Sequence, residues 1–277
     1  MNYKTILVHL DAGKRVPERV AIAKRLAETF EAQLTGLFAI SAPRVPSYAL
    51  AEAGPVVIEA EARYRAEAAH AAEAAFKAAT AQMARSAEFR GTLRDALAAT
   101  QLSARYADLV VAGQPEPEGN TGVAPDFAEE LVLSAGRPVL FVPYAGRFPE
   151  IGRRVLVAWN AGREAARAVS DALPLLARAS IVQVVAFDPR KGGADHGDIP
   201  GADVALLLAR HGVKVSVAQQ QSEDVDVGNQ ILSRAADMQS DLIVMGAYGH
   251  SRLRELVLGG VTRTLLDTMT VPVLMSH

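Results

Sequence analysis

The chain contains no cysteine, which removes disulfides, thiolate-bound zinc, iron–sulfur clusters and thiol catalysis together. It also lacks any run of about 18 apolar residues, the length needed to cross a bilayer. No large excess of one charge sign is present. The formal net charge is −2. Residues 1–146 carry 15 basic and 17 acidic side chains, and residues 147–277 carry 14 of each. Without a basic face, nucleic-acid binding is not expected. The six histidines (His9, His70, His196, His211, His250 and His277) never take the His-x3-His spacing of a zinc helix. The run Asp195-His196-Gly197-Asp198 reads as a polar turn. There is no Gly-x4-Gly-Lys-Ser/Thr loop, no Gly-x-Gly-x2-Gly fingerprint, no Gly-x-Ser-x-Gly elbow and no evident acid–base pair, so efficient catalysis is not expected. Met1-Asn2-Tyr3-Lys4 leads into a strand-like run without the regions of a signal peptide. The expectation is a cytoplasmic protein without membrane spans.

Half of the 277 residues are hydrophobic, 5% are aromatic and 22% are charged, which is ample for a packed core. The chain also repeats itself. Thr5-Ile6-Leu7-Val8-His9-Leu10-Asp11-Ala12-Gly13 returns as Arg154-Val155-Leu156-Val157-Ala158-Trp159-Asn160-Ala161-Gly162. Asp108-Leu109-Val110-Val111-Ala112-Gly113 returns as Asp241-Leu242-Ile243-Val244-Met245-Gly246, and Pro138-Val139-Leu140 as Pro272-Val273-Leu274. Three blocks recurring in one order imply a duplicated domain. The loop Tyr144-Ala145-Gly146-Arg147-Phe148-Pro149 marks the boundary, giving domains over 1–146 and 151–277.

Within the second copy, the pattern predicts strands at 154–159, 181–187, 213–218, 241–245 and 271–275. Helices are predicted over Arg163–Ala177, near 202–211, at about 226–238 and from about 260. The first of these is expected to bury Ala166, Val169, Leu173 and Leu176. The first copy follows the same order, with a long helix expected over the alanine-rich Glu59–Arg85. Unbroken Val/Ile/Leu strands alternating with helices imply an α/β fold, a buried parallel sheet with right-handed crossovers.

The segment from Met245 to Thr262 carries the chemistry. Gly246 and Gly249 follow a buried strand, where ligands bind in open α/β sheets, and they let backbone amides approach a ligand closely. Gly259 and Gly260 then open a helix whose free amides and dipole favour an anion. The alternative is that these glycines serve only turns and helix packing.

Gly246, Gly249, Gly259 and Gly260 resemble the nucleotide signature of the universal stress protein family: glycine, two residues, glycine, nine residues, then glycine and a small residue. The strand end Val157-Ala158-Trp159-Asn160, the aspartates at 108 and 241 and the Pro-Val-Leu terminal strands strengthen the likeness. Both copies share it, so the chain resembles a tandem universal stress protein. The resemblance implies two flavodoxin-like (adenine nucleotide alpha hydrolase-like) open, twisted parallel-sheet domains. It further implies antiparallel pairing of Arg137–Val142 with Val271–Met275. For the second copy it implies ATP or another adenine nucleotide, with or without magnesium. Ala158, Trp159, Asn160, Ala186, Met245 and Gly246 would surround the nucleoside, and Gly249, Gly259, Gly260, Val261 and Thr262 the phosphates.

Asn160 stands where the family usually has aspartate, and Gly260 where it has serine or threonine. Trp159 brings an indole that either fills the adenine space or stacks on the base. In the first copy, Gly113 is followed by Gln114-Pro115-Glu116-Pro117-Glu118. Two prolines there remove amide donors and two glutamates repel phosphate, so that copy is expected to be degenerate. The expected function is a stress-response switch that binds nucleotide in its second domain, with an unknown protein partner and a homodimer as further possibilities. The alternatives are an interaction scaffold without nucleotide, or slow ATP hydrolysis or self-phosphorylation at Ser251, Thr262 or Thr264.

Overall fold

The computed structural model describes residues 2–41, 47–85, 87–116, 119, 121–187, 199–221, 224–248 and 260–277, with only the backbone for 47–53. The first half contains β1 (Thr5–Leu10), α1 (Val16–Phe30), β2 (Gln33–Phe38), α2 (Ser47–Thr80), β3 (Glu88–Gly91), α3 (Ala96–Ala104), β4 (Leu109–Gly113), α4 (Phe127–Ser134) and β5 (Val139–Val142). The second half contains β6 (Arg154–Trp159), α5 (Arg163–Leu176), β7 (Ile181–Phe187), α6 (Ala202–Arg210), β8 (Val215–Gln220), α7 (Val227–Asp237), β9 (Leu242–Gly246), α8 (Gly260–Thr268) and β10 (Val273–Ser276).

Among the described residues, ten strands form one sheet in the order β3-β2-β1-β4-β5-β10-β9-β6-β7-β8. Each half repeats the order 3-2-1-4-5, parallel throughout. Connections run outward on one side of β1 and then return to its other side, so the direction of winding reverses between β1 and β4, and between β6 and β9. Such reversal points open a crevice at the carboxyl ends of the strands. The halves join where β5 and β10 run antiparallel, with Val273 opposite Phe141, Leu274 opposite Leu140 and Met275 opposite Val139. The pairing expected from sequence is therefore present, and it leaves β3 and β8 as the sheet edges.

Helices cover both faces. One apolar cluster packs α1, α2, α5 and α6 on the sheet around Phe30, Phe76, Val169 and Leu208. The other packs α3, α4, α7 and α8 around Phe127, Leu131, Ile231 and Leu265. The aspartates that enter β4 and β9 hold the neighbouring strands. Asp108 accepts from the backbone amides of Lys4 (2.7 Å) and Thr5 (2.9 Å). Asp241 accepts from those of Gly152 (2.8 Å) and Arg153 (3.0 Å). A repeated sequence mark thus has a structural use, because it satisfies the amides where β1 and β6 begin.

The buried stripe of α5 keeps Val169 and Leu176 of the expected four and departs from the other two. It runs through Glu164, Ala165, Ala168, Val169, Ala172, Leu175 and Leu176, while Ala166 is exposed. Ala165, Ala168 and Ala172 bring the helix close to the sheet, and Leu173 is only half-buried. Helix α2 is longer than expected, beginning at Ser47.

Candidate functional site

The two crevices lie at equivalent places and are built differently. In the first half, β1 ends at Leu10, and Asp11 caps the turn by accepting from the Gly13 amide at 2.8 Å. Arg19, one turn into α1, reaches back to Asp11 with Nη1–Oδ2 at 2.9 Å and Nη2–Oδ1 at 3.0 Å. Both side chains are buried, 3% and 7% exposed. Burial pushes the Asp11 carboxyl upward, but the charges of Arg19 and His9 and the hydrogen bonds from Arg19 and Gly13 hold it below the ordinary carboxylate value. The guanidinium also occupies the end of β4, where a Cβ on Gly113 would lie 3.0 Å from Arg19 Cζ. Above it the chain folds over. Thr121 carbonyl accepts from Ala12 at 2.9 Å and Gly122 carbonyl from Ser41 at 2.7 Å. Gly122 needs its glycine, with φ of +74° and a Cβ position 2.9 Å from Ile40. About 10 Å³ remains between Asp11, Arg19, Gly113 and Gln114, roughly room for one water. The first crevice is filled by its own arginine.

His9 lies beneath, fully buried, with Nε2 2.9 Å from Ala39 carbonyl oxygen and its ring 4.7 Å from that of Phe127. Burial, reinforced by the nearby Arg19 charge, lowers its pKa to about 4 despite Asp11 and the Ala39 hydrogen bond. It is therefore neutral near neutral pH.

In the second half, β6 ends in Ala158 and Trp159, and the turn repeats. Asn160 Oδ1 accepts from the Gly162 amide at 3.0 Å. The acceptor expected to face a ligand thus holds the local turn, as Asp11 does. By the repeat register Ala168 replaces Arg19, and it is fully buried, so no guanidinium fills this crevice from α5. Trp159 sits beside Ala186 in the ladder. Its indole leans toward α6, where Cδ1 is 3.9 Å from the position of a Cβ on Gly201. Ala158, Met245 and Val261 pack with the cluster on the opposite face. Ala186 and Met245 are 0% and 5% exposed, so each offers a ligand little beyond backbone.

At the end of β9, a Cβ on Gly246 would lie 2.4 Å from the Ala165 amide nitrogen. The glycine allows the first turn of α5 to pack directly on the strand end. That is the packing role weighed above, present whether or not a ligand also approaches. Beyond it, Ala247 donates its amide to Ser276 carbonyl (2.8 Å), and the Tyr248 amide donates to Thr262 Oγ1 at 3.3 Å. This ties the strand end to the first turn of α8, which Gly260 opens with nothing among the described residues within 4 Å of its Cβ position. Residues at the ends of β6, β7 and β9 and at the start of α8 are thereby gathered at one reversal point. Gly249 and Gly259 lie outside the described residues, as do His250, Ser251 and the Asp195–Asp198 turn.

Sequence reasoning missed Arg19 and Glu164. Glu164 is 4% exposed, between the Gly162 turn and Gly246, and it hydrogen-bonds Arg163. Burial raises its pKa, but the Arg163 hydrogen bond, its own backbone amide and the Arg163 charge more than offset this, so it stays below the ordinary value. Both residues carried a signal: each is a charge on an otherwise apolar helix stripe, Val16-Arg19-Ala23-Leu26 and Glu164-Ala168-Ala172-Leu175. Among the described residues, no group of three or more metal-binding side chains is present, and no helix is long and apolar enough to cross a membrane.

No curated protein matches the chain. Solved structures match it end to end. A universal stress protein from Archaeoglobus fulgidus DSM 4304 aligns with a TM-score of 0.69 at 16% identity, covering 98% of this chain and 97% of that one. A putative universal stress protein from Pseudomonas aeruginosa UCBPP-PA14 aligns at 0.59 and 16% identity, covering 99% and 93%. A shorter universal stress protein, solved in complex with cAMP, aligns at 0.36 and 21% identity, covering 52% of this chain and all of that one. Residues 152–277 match the Universal stress protein family. Residues 152–277 thus form a universal stress protein family domain, and over its full length the chain has the fold of the relatives that cover it.

Proposed function

We propose that the chain is a two-domain stress-response protein, dividing into 1–146 and 151–277, that binds ATP or another adenine nucleotide in the second domain only. One contrast carries this reading. Arg19 and Asp11 fill the first crevice, whereas the second has Ala168 and the neutral Asn160 at those positions. Around the second crevice, Ala158 and Trp159 of β6, Asn160 in the turn after it, Ala186 of β7, and Met245 and Gly246 of β9 take the nucleoside. Gly249, Gly259, Gly260, Val261 and Thr262 take the phosphates through loop amides and the α8 amino end. The Thr262 oxygen accepts from Tyr248, and its hydroxyl proton remains to donate. The nucleotide is taken with or without magnesium. Nucleotide binding then shifts the balance between two states that differ in affinity for a protein partner.

Calorimetric titration of the full chain with ATP, with and without magnesium, tests the reading. Heat of binding that disappears in Gly249→Val is expected. No heat with the wild type sinks it.

A further inference from the structure

The linker between the halves runs past the carboxyl ends of α1 and α5, at the amino end of β6. Within each half this is the amino-terminal side of the strands, away from the carboxyl ends that form the crevices. There the surface opens into a cavity of about 270 Å³, near the lower bound of small-molecule pockets, which run from about 300 to 1,000 Å³. Its floor is apolar: Leu26 and Phe30 from α1, and Leu175 from α5. Among the described residues, its rim carries Arg25, Arg153 and Arg178 against one carboxylate, Glu150.

The charges are not balanced locally. Arg153 takes Glu150, with Nη1–Oε1 at 2.9 Å. Arg25 donates to the carbonyl of Phe148, which engages one edge of its fork and neutralises nothing. Arg178 lies over the Phe30 ring, 5.3 Å from its centroid. Among the described residues, neither Arg25 nor Arg178 is in an ion pair. Each guanidinium carries five donors in a fixed plane, suited to two-point contact with a carboxylate or phosphate. Two such groups, held from opposite halves by Phe148 and Phe30, stand over an apolar floor.

We propose that this cavity is a binding site for a small amphipathic anion, one carboxylate or phosphate monoester group on a compact apolar body. The anionic head lies between Arg25 and Arg178, and the apolar body rests on Leu26, Phe30 and Leu175. A ligand held this way touches both halves and ties the end of α1 to the end of α5. The site is separate from the nucleotide crevice and does not depend on nucleotide binding there.

The competing account is that the arginines only offset the negative carboxyl ends of the two helices. Thermal melts and calorimetry on the full chain distinguish the two, with benzoate, phenyl phosphate, inorganic phosphate and neutral benzyl alcohol as probes. A saturable rise in melting temperature with benzoate or phenyl phosphate is expected, with inorganic phosphate weaker and benzyl alcohol inactive. Whichever of the first two binds more tightly identifies the head group. Arg25→Gln and Arg178→Gln should each weaken binding about tenfold, while the heat of ATP binding stays unchanged. Three results would overturn the proposal: no saturation by about 10 mM of either aromatic anion, equal binding of benzyl alcohol, or undiminished affinity in both variants. Arginine variants that melt earlier without any anion effect would assign these side chains to the helix ends alone.

Discussion

At the scale of single residues, the glycines of the second crevice separate by what surrounds them. A Cβ on Gly246 would press on backbone, 2.4 Å from the Ala165 nitrogen, and backbone in the first turn of a packed helix does not yield cheaply. Gly246→Ala should therefore destabilise the protein by about 1–3 kcal/mol or more. Gly260, with no described residue near its Cβ position, begins a helix, so Gly260→Ala should be neutral or stabilise by up to about 1 kcal/mol. Urea denaturation of both variants checks this; equal losses would mean that the contact at Gly246 does not govern its substitution.

His9 and Asp11 give the fold a pH dependence with a definite sign. His9 has its pKa lowered to about 4 in the folded chain, so between pH 6.5 and 4 the unfolded chain binds a proton that the folded one refuses. Stability from His9 is then complete above about pH 6.5 and falls through that window by roughly 3 kcal/mol. Asp11, lowered by Arg19 and its neighbours, acts further down. Its contribution is present above the ordinary carboxylate value and is lost as pH falls through its depressed folded value. His9→Gln, which keeps a donor toward Ala39, should flatten the slope of urea stability between pH 6.5 and 4 and leave the steeper acid loss. An unchanged slope would place the effect elsewhere.

At the scale of elements, the strands were legible because a parallel sheet buried on both faces demands unbroken apolar runs. β6 and β7 fall where the sequence puts them, and β8, β9 and β10 lie within two residues of it. The helices were less legible. On α5 three contact residues are alanines, which carry little of the contrast that marks a face, so of Ala166, Val169, Leu173 and Leu176 only Val169 and Leu176 lie on the buried stripe. The crevice was legible only in part. Glycine spacing marks the place, but what fills the first copy is Arg19, eight residues beyond Asp11 and on a different element. Only the fold reveals that α1 turns it back over the strand end.

The filling of the first crevice can be transplanted into the second. Asn160→Asp with Ala168→Arg rebuilds in the second crevice the ion pair that fills the first, on the same turn and the same helix register. The double variant should fold, because the pair satisfies its own charge, and should lose ATP binding in calorimetry. Ala168→Arg alone should be the less stable variant, since it buries a guanidinium without its carboxylate. Retained ATP affinity in the folded double variant would show that the crevice is not where the nucleotide sits.

At the scale of the whole molecule, the β5–β10 pairing makes two five-stranded sheets into one of ten. Val139, Leu140 and Phe141 oppose Met275, Leu274 and Val273, all fully buried. Cutting the chain between the proposed domains exposes that apolar ladder on both pieces, and an open, uncharged edge strand pairs with whatever strand it meets. Residues 151–277 alone should therefore form a homodimer through β10, about a two-fold axis, in place of the lost β5. Residues 1–146 added in equal amount should compete for the same edge, giving a one-to-one complex in light scattering as the homodimer declines. The side chains at the original junction fit each other, and Tyr3 donates to Asp171 carbonyl across it at 2.7 Å. That hydrogen bond exists only in the heterologous pair, so the mixed complex should be preferred. A folded 151–277 fragment that stays monomeric at high concentration and ignores 1–146 would mean that the covalent linker, and not the β5–β10 ladder, holds the halves together.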